Sequence, residues 1–250
     1  MTISKNRKNT TAEKRREIGL VALPEEMLLT ITVNGRNLSR LSCSPFGQRE
    51  LVMGWLFSQD IIGSRGDIAS LCLQGTRALV RLRPGRSRQP EQFNPLQVTA
   101  CSGGELRPEL LEDFPSVCRV YEFTLAHAVV LMEQLPAHTR MFRKHGGIHC
   151  SMLADMNTKR LLVSREDIGR SNSVDKVVGW GLSRRINFSA TALLTTGRIS
   201  AEMALKCLHA GIPALISQTT LTTKALEIVR RSGLTLVGHV LKPRPILLNF

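Results

Sequence analysis

The sequence TALLTTGRISAEMALKCLHAGIPALISQTTLTTKALEIVRRSGLTLVGHV, residues 191–240, contains three short apolar runs separated by two segments with helical spacing. The runs at 191–196, 213–217 and 234–240 predict β-strands. The segments at 200–210 and 222–232 predict helices that end at Gly211 and Gly233. Strands that alternate with helices through short loops indicate a largely parallel sheet covered on both faces. The stretch therefore predicts an α/β fold.

The preceding residues extend this α/β unit back to residue 121. Thr124 predicts the N-cap of a helix that runs to about residue 135, and a short helix follows to residue 144. Strands are predicted at 148–155 and 161–164, and a helix is predicted at 173–182. We therefore assign residues 121–250 to a C-terminal α/β domain.

Residues 19–120 predict a smaller N-terminal α+β domain. Asn34-Gly35 lies between the apolar-rich runs 27–33 and 37–43, which is typical of a β-hairpin. Ser44-Pro45 predicts the N-cap and first turn of a helix at about 46–58. A second strand pair is predicted at 68–73 and 78–82.

Two segments of the first half lack any periodic pattern. Segment 83–97 has three prolines and three arginines and predicts a mobile loop that leads to Cys101. Residues 1–18 predict a disordered basic tail, because they hold almost nothing to bury.

The chain has 250 residues and a formal charge of +14, from 34 Lys and Arg against 20 Asp and Glu. Such an excess favours nucleic acids, anionic cofactors or acidic protein partners, without choosing among them. No apolar run approaches the length of a membrane span, and the basic N-terminus lacks the apolar core of a signal peptide. The sequence therefore predicts a soluble cytoplasmic protein.

Cys101 is the cysteine whose setting is unusual. It lies in Val98-Thr99-Ala100-Cys101-Ser102-Gly103-Gly104-Glu105, beside two glycines after a polar loop, whereas most free cysteines are buried. Two interpretations stay open at this point: a residue used for its sulfur, and a turn residue that happens to be Cys.

The other cysteines give no sign of a metal site. None forms a C-x-x-C pair, so no familiar zinc spacing exists. His149 and Cys150 are neighbours on a predicted strand and point to opposite faces, so a hydrogen-bonding role for His149 is favoured over ligation. The remaining four lie in apolar surroundings and are predicted to be packed: Cys43, Cys72, Cys118 and Cys207.

Three polar loops lead into predicted helices, at 164–172, 195–200 and 217–223. For any one of them the ordinary explanation is that Ser or Thr caps the helix, as Ser200 would. Together, with Arg170 and Arg198, they favour a phosphate-bearing ligand at the carboxyl ends of the strands. The final segment, 238–245, is interpreted either as an edge-strand tail or as a clamp on an anionic ligand.

With these pieces in order, the chain resembles the formate dehydrogenase accessory sulfurtransferase family of the FdhD/NarQ type, from about residue 22 to 249. The resemblance is carried by Gly-Gly-x-His at 146–149, EDIGRSNSVDKVVG at 166–179, TTGRISAEMALKCLHAGIPALIS at 195–217 and GLTLVGHVLKPR at 233–244. It implies a C-terminal domain similar in fold to the cytidine deaminases, and a homodimer.

The same resemblance implies a function. A sulfur carrier of this type takes persulfide sulfur from a cysteine desulfurase and passes it to the molybdenum or tungsten bis-pterin guanine dinucleotide cofactor of formate dehydrogenase. Cys101 matches the first cysteine of the family's Cys-Gly-x-Cys-Gly loop. The cofactor-contacting stretch falls on His239, Val240, Leu241, Lys242, Pro243 and Arg244. We expect no protein-ligated metal and no membrane partner, and a nucleic acid partner is disfavoured.

The sequence departs from the family pattern at two sites. Gly104 replaces the second cysteine of the loop, and Glu105 follows it, so an internal disulfide cannot resolve a persulfide on Cys101. Gly-Arg-Ser-Asn-Ser at 169–173 stands where the family usually has Gly-Arg-His-Asn-Ala. The alternative function is therefore a non-catalytic basic module that binds an anionic nucleotide-like cofactor or RNA. A zinc nucleoside deaminase is disfavoured, because neither of its ligand motifs occurs.

Overall fold

The computed structural model describes residues 23–85, 98–99 and 112–250. In these residues, five strands form a first sheet. They are β1 (Met27–Val33), β2 (Arg36–Cys43), β3 (Ile68–Gln74), β4 (Arg77–Leu82) and β5 (Val98–Thr99), arranged in the order β3-β4-β1-β2-β5.

Turn chemistry explains the hairpin of this sheet. β1 and β2 pair antiparallel, and Asn34 and Gly35 between them have φ of 48° and 84°. Two positive φ values match the twist of the flanking strands in a tight hairpin, and Asn-Gly adopts them at little cost. The predicted hairpin is confirmed, as is the antiparallel pairing of β3 with β4.

The helix α1 (Gln48–Ser58) begins later than predicted. Gly47 occupies its N-cap position with φ of 68°, and its fully buried side chains include Leu51 and Val52. Ser44 does not cap the helix. Its Oγ instead accepts a hydrogen bond from the Ile168 backbone N–H at 3.1 Å, far along the chain.

The second sheet has six strands in the described part of the chain. They are β6 (His149–Asp155), β7 (Arg160–Asp167), β8 (Thr191–Thr195), β9 (Ala214–Ser217), β10 (Thr235–Gly238) and β11 (Ile246–Leu248), arranged in the order β11-β10-β9-β8-β6-β7.

The prediction of a largely parallel sheet is wrong, because the second sheet is mixed. β8, β9 and β10 are parallel as predicted, but β6 runs antiparallel to both β7 and β8, and β11 runs antiparallel to β10. The β6–β7 connection is a tight turn in which the Asp155 carboxylate accepts from the N–H groups of Asn157 and Thr158. A turn this short can only join antiparallel strands.

Helices cover both faces of the second sheet, as predicted. They are α2 (Leu125–Glu133), α3 (Leu135–His138), α4 (Arg140–His145), α5 (Arg170–Arg184), α6 (Ala201–Ala210) and α7 (Thr223–Ser232). Successive strand residues point to opposite faces. Leu193 and Leu215 accordingly pack in the cluster with α5, α6 and α7, whereas Leu194 and Ile216 pack in the cluster with α2. The α/β fold class is confirmed.

Several predicted caps are also found. Thr124 Oγ1 accepts from the His127 N–H at the start of α2. Gly211 and Gly233, with φ of 73° and 74°, terminate α6 and α7. None of the helices in the described ranges is long and apolar enough to cross a bilayer.

The two sheets are joined by a close contact between α1 and α5. A Cβ added at Gly54 would lie 1.9 Å from the Asp175 carbonyl oxygen, and one at Gly179 would lie 1.9 Å from that of Glu50. Only residues without a side chain allow the two backbones to approach this closely. The contact fixes the first sheet against the loop that follows β7.

Candidate functional site

One edge of the second sheet collects the carboxyl ends of four strands and the first residues of two, β6 and β11. The carboxyl ends of β8, β9 and β10 meet there because these strands are parallel. β6 runs the opposite way, so its first residue, His149, lies at the same edge and pairs with Asp167 at the end of β7. We refer to this edge, with the loops that leave it, as the carboxyl edge.

Hydrogen bonds hold the loops of the carboxyl edge to one another. The His239 N–H donates to the Thr219 carbonyl at 2.9 Å, and Ser217 Oγ donates to the Gly197 carbonyl at 2.7 Å. The Gly197 N–H in turn donates to Thr195 Oγ1. These bonds link the loops after all three parallel strands, so residues that lie far apart in sequence keep fixed positions.

Two arginines and a histidine come together at this edge. Arg170 is the first residue of α5, and a Cβ on Gly197 would lie only 2.8 Å from the Arg170 Cβ. The pKa of His149 is lowered below its ordinary value, first by burial and then by the charges of Arg170 and Arg198. The lowered pKa favours the neutral form of His149, and its Nδ1 lies 3.5 Å from Thr196 Oγ1, within reach of a hydrogen bond.

The N-termini of α5, α6 and α7 all face this edge, since each of these helices follows a strand that ends there. Thr222 caps α7 by accepting from the Ala225 N–H, so the ordinary interpretation holds at that loop. Ser200 occupies the N-cap position of α6 but its side chain makes no capping bond. Its Oγ is buried and has no hydrogen-bond partner among the described residues. A buried hydroxyl in this position suits an oxygen-rich ligand.

The predicted cofactor-contacting stretch leaves the same edge after β10. His239 is half-buried with φ of 50°, and Val240 packs in the core at 2% exposure. Val240 therefore offers a ligand only its backbone. The next four residues are exposed: Leu241, Lys242, Pro243 and Arg244. The chain then turns back as β11, so this stretch is a loop between two strands rather than a tail.

The loop at 164–172 is only partly available to a ligand. Asp167 is fully buried, and its carboxylate forms an ion pair of 2.6 Å with Lys176. The Glu166 carboxylate accepts from the N–H groups of Met141 and Phe142 at the start of α4. Both carboxylates thus make structural contacts, whereas Arg170 lies at the carboxyl edge beside Gly197.

The structure contains a second cluster of buried charges, around Lys206, that the sequence did not predict. Lys206 Nζ lies 2.6 Å from Asp175 and 3.1 Å from Glu202, and it donates to Ser171 Oγ. Burial raises the pKa of Asp175 to about 6, against the opposing effect of Lys206. A lysine within an otherwise apolar helical face was the only signal of this cluster in the sequence.

The cysteines separate into two classes. Cys43 and Cys207 are buried as predicted, and so is Cys150. Burial raises the pKa of both Cys43 and Cys150 to about 12, which keeps these thiols protonated. The prediction that Cys72 and Cys118 are packed is wrong, since both are exposed. β3 is an edge strand with one open face, and Cys118 precedes the first helix of the second half, so an apolar sequence neighbourhood did not imply burial.

Cys101, the predicted sulfur-carrying residue, lies outside the described residues, as do the basic tail at 1–18 and most of the polar loop before Cys101. β5 ends two residues before Cys101 and runs parallel to β2. Among the described residues, no group of three His, Cys, Asp or Glu side chains is arranged to hold a metal ion.

Comparison with known proteins gives consistent matches along almost the whole chain. The model of the FdhD/NarQ family matches residues 24–247. The "Sulfur carrier protein FdhD" of Geobacillus kaustophilus (strain HTA426) is 30% identical over 243 residues, which cover 95% of this chain and 90% of the relative. That of Bacillus pumilus (strain SAFR-032) is 31% identical over 221 residues, covering 86% and 84%.

A solved structure is similar as well. The crystal structure of a candidate formate dehydrogenase accessory protein from Desulfotalea psychrophila superimposes with a TM-score of 0.74 at 27% identity. The superposition covers 91% of this chain and 88% of that one. Both sheets of the fold are therefore shared with a protein of known structure.

Proposed function

Since the chain belongs to the FdhD/NarQ family, we propose that it is a sulfur carrier protein required for formate dehydrogenase activity. It takes persulfide sulfur from a cysteine desulfurase onto Cys101. It then passes this sulfur to the molybdenum or tungsten bis-pterin guanine dinucleotide cofactor before the cofactor enters formate dehydrogenase. The observation that carries the proposal is the family match over residues 24–247.

The carboxyl edge supports the cofactor as the acceptor. A guanine dinucleotide carries several negative phosphate charges, and helix N-termini with arginines are suited to bind them. Arg170 and Arg198 lie close enough to His149 to lower its pKa, and Ser200 leaves a buried hydroxyl without a partner among the described residues. We propose that these residues and the 239–244 stretch contact the cofactor.

The two transfers differ in their electron balance. In the first, the Cys101 thiolate attacks the outer sulfur of the desulfurase persulfide, a new S–S bond forms and the desulfurase thiolate leaves, with no net redox change. In the second, the carried sulfur is delivered as sulfide and the Cys101 thiolate is regenerated, which consumes two electrons. Gly104 removes the second loop cysteine, so two external thiols, oxidised together to a disulfide, supply these electrons.

The link between the two halves supports transfer between them. β5 lies beside β2, and Ser44, just after β2, is held at the carboxyl edge, where its N–H donates to the Asp167 carboxylate at 3.1 Å. The end of the first sheet is thus fixed next to the loops that would bind the cofactor. We further propose that the protein is a cytoplasmic homodimer with cysteine desulfurase and formate dehydrogenase as partners.

Mass spectrometry tests the sulfur transfer. The protein is incubated with a cysteine desulfurase and cysteine, and we expect one added sulfur atom on Cys101. Cys72→Ala and Cys118→Ala are matched controls, because these two thiols are exposed and yet should not carry the sulfur. The proposal fails if the sulfur is absent from Cys101, or if Cys101→Ala restores formate dehydrogenase in a deficient strain.

Calorimetry with GDP tests the cofactor site. Loss of a charge-assisted hydrogen bond in Arg244→Ala should weaken GDP binding by at least about tenfold. Arg36→Ala is the control, since Arg36 is also exposed but lies on the hairpin of the first sheet. Equal affinity in both variants contradicts the role of Arg244. Tight RNA binding with a steep salt dependence, retained in Cys101→Ala, would instead indicate the non-catalytic binding module.

A further inference from the structure

A concave surface lies along the outer side of β7, away from the carboxyl edge. It encloses about 660 Å³. We call it the β7 groove. It is lined by Gln134, His138, Trp180 and residues 159–165.

The floor of the groove is the edge of a sheet. In the described part of the chain β7 is the last strand of the second sheet, so its outer backbone N–H and C=O groups face the groove. The end near α4 is closed, because the Glu166 carboxylate binds the Met141 and Phe142 amides and Arg165 Nη1 donates to the Ser164 carbonyl. The strand edge from Arg160 to Val163 forms the open part.

The side chains of the groove combine apolar and cationic character. Leu162 and Trp180 are half-buried on the α5 side of β7, and Leu161 is half-buried on its α2 side, so both sides of the strand edge offer apolar area. The rim carries His138, Lys159 and Arg160, and none of the lining residues is acidic. Arg184 stacks over the Trp180 ring at 5.5 Å and adds a further positive charge.

Within the part of the chain that the structure describes, Arg160 is a cation of the rim that forms no ion pair. Lys159 Nζ lies 3.1 Å from both the Glu122 carbonyl and His127 Nδ1. Arg165 forms an ion pair of 2.5 Å with Glu50. Arg160 is exposed and forms no ion pair with any residue that the structure describes.

We propose that the β7 groove is a docking site for an extended acidic segment of a partner protein, which adds to β7 as a further strand. Backbone hydrogen bonds to the strand edge would give affinity, and an apolar side chain of the segment would pack on Trp180. Charge complementarity selects this occupant. The chain's own N-terminal residues are basic, and a second copy would place two cationic rims against each other. The proposal does not depend on sulfur transfer.

Tryptophan fluorescence tests the proposal on the full-length protein. Of the two tryptophans, Trp55 is buried at 2% exposure, so a change in emission on titration reports on Trp180. The probe is a nine-residue peptide that alternates Glu or Asp with Leu or Val. Its counterparts are a peptide with Lys in place of the acids and an acidic peptide with N-methylated backbone amides.

We expect the acidic peptide to shift the emission of Trp180 to the blue and to bind more weakly as salt rises. Arg160→Glu should weaken binding by about tenfold, since it reverses a charge on the rim. Arg36→Glu is the matched control and should bind as the wild type does. Cys101→Ala should also bind normally, which separates this site from the sulfur-transfer function.

Five results overturn the proposal. Equal binding of the Lys peptide removes charge complementarity, and equal binding of the N-methylated peptide removes strand addition. An Arg160→Glu variant with wild-type affinity places the peptide elsewhere. If the Trp180 emission shifts with protein concentration alone, the groove binds a second copy of the chain. If it shifts with a single-stranded oligonucleotide and not with the peptide, the groove binds nucleic acid.

Discussion

Gly179→Ala tests the contact that joins the two sheets. Gly179 lies within α5, and a methyl group there would lie 1.9 Å from the Glu50 carbonyl oxygen of α1. Helix propensity alone favours Ala over Gly by about 1 kcal/mol in a helix interior. The substitution therefore has two opposing effects, and the structure decides which is larger.

The steric effect should be the larger one. Ordinary contact begins near 3.4 Å, so the two backbones would have to separate by about 1.5 Å. Neither neighbour is a flexible side chain, and the separation would loosen the packing of Phe57, which lies against the apolar clusters of both sheets. Overpacking of this kind costs about 1–3 kcal/mol and more where backbone must move. We expect a net loss of about 2–3 kcal/mol in the free energy of unfolding.

Thermal and urea unfolding measure this loss. For a chain of this length, 2–3 kcal/mol corresponds to a fall in Tm of about 5–10 °C. Gly66→Ala is the control, because its added Cβ would meet only the Ser64 side chain, at 3.3 Å. Gly54→Ala should behave as Gly179→Ala does, and the double variant should lose less than the sum of the two, since one separation accommodates both methyl groups. A Tm of Gly179→Ala at or above that of the wild type would contradict this expectation, because α1 and α5 could then accommodate a methyl group without loss of stability.

Two further predictions concern buried charges and thiols. Lys206→Met leaves the buried Asp175 without its cation, at a cost of about 3–5 kcal/mol near pH 7. Burial already raises the pKa of Asp175 to about 6, and loss of Lys206 raises it further. In the Lys206→Met variant, the folded state therefore keeps a proton on Asp175 that the unfolded chain releases. Urea unfolding should show that the free energy of unfolding of this variant falls as pH rises from 5 to 8. Adding Asp175→Asn to the variant should remove this pH dependence. In the native protein Cys72 and Cys118 should react rapidly with a thiol reagent, whereas the buried thiols should react only after denaturation. The reaction is followed by absorbance, and Cys→Ser variants identify which thiol reacts. Rapid reaction of a variant that keeps only Cys207 would contradict the burial of this thiol.

The elements of the fold were readable from the sequence where local chemistry determines them. The Asn34-Gly35 hairpin and the two glycine-terminated helices follow from φ preferences that a few neighbouring residues reveal. The alternation of strands and helices over 191–240 likewise predicted three parallel strands. The short return strand β11 was missed, because three residues carry no detectable period.

The candidate site was predictable only in part. Loops after parallel strands must meet at one edge, so the proximity of the loops around Arg170 and Arg198 could be derived from topology. The partners of Asp167 and Glu166 could not be derived from the sequence, because they lie on other elements. Asp167 pairs with Lys176 on α5, and Glu166 binds backbone amides of α4. Ser44 shows the same limit, since it looks like a helix cap in sequence but binds a loop more than a hundred residues away.

The glycine contact between α1 and α5 therefore bears on function as well as on stability. Ser44, close to α1, is bonded to Asp167 and Ile168, just before α5. β2, which precedes Ser44, carries β5, after which the chain continues to Cys101. A shift of α1 away from α5 would move the first sheet relative to the carboxyl edge without altering any residue proposed to bind the cofactor. If sulfur passes from Cys101 to a cofactor at the carboxyl edge, Gly179→Ala should slow this delivery more than it slows persulfide formation on Cys101. Persulfide formation needs only an accessible thiolate, whereas delivery needs the two sheets in their correct relative position.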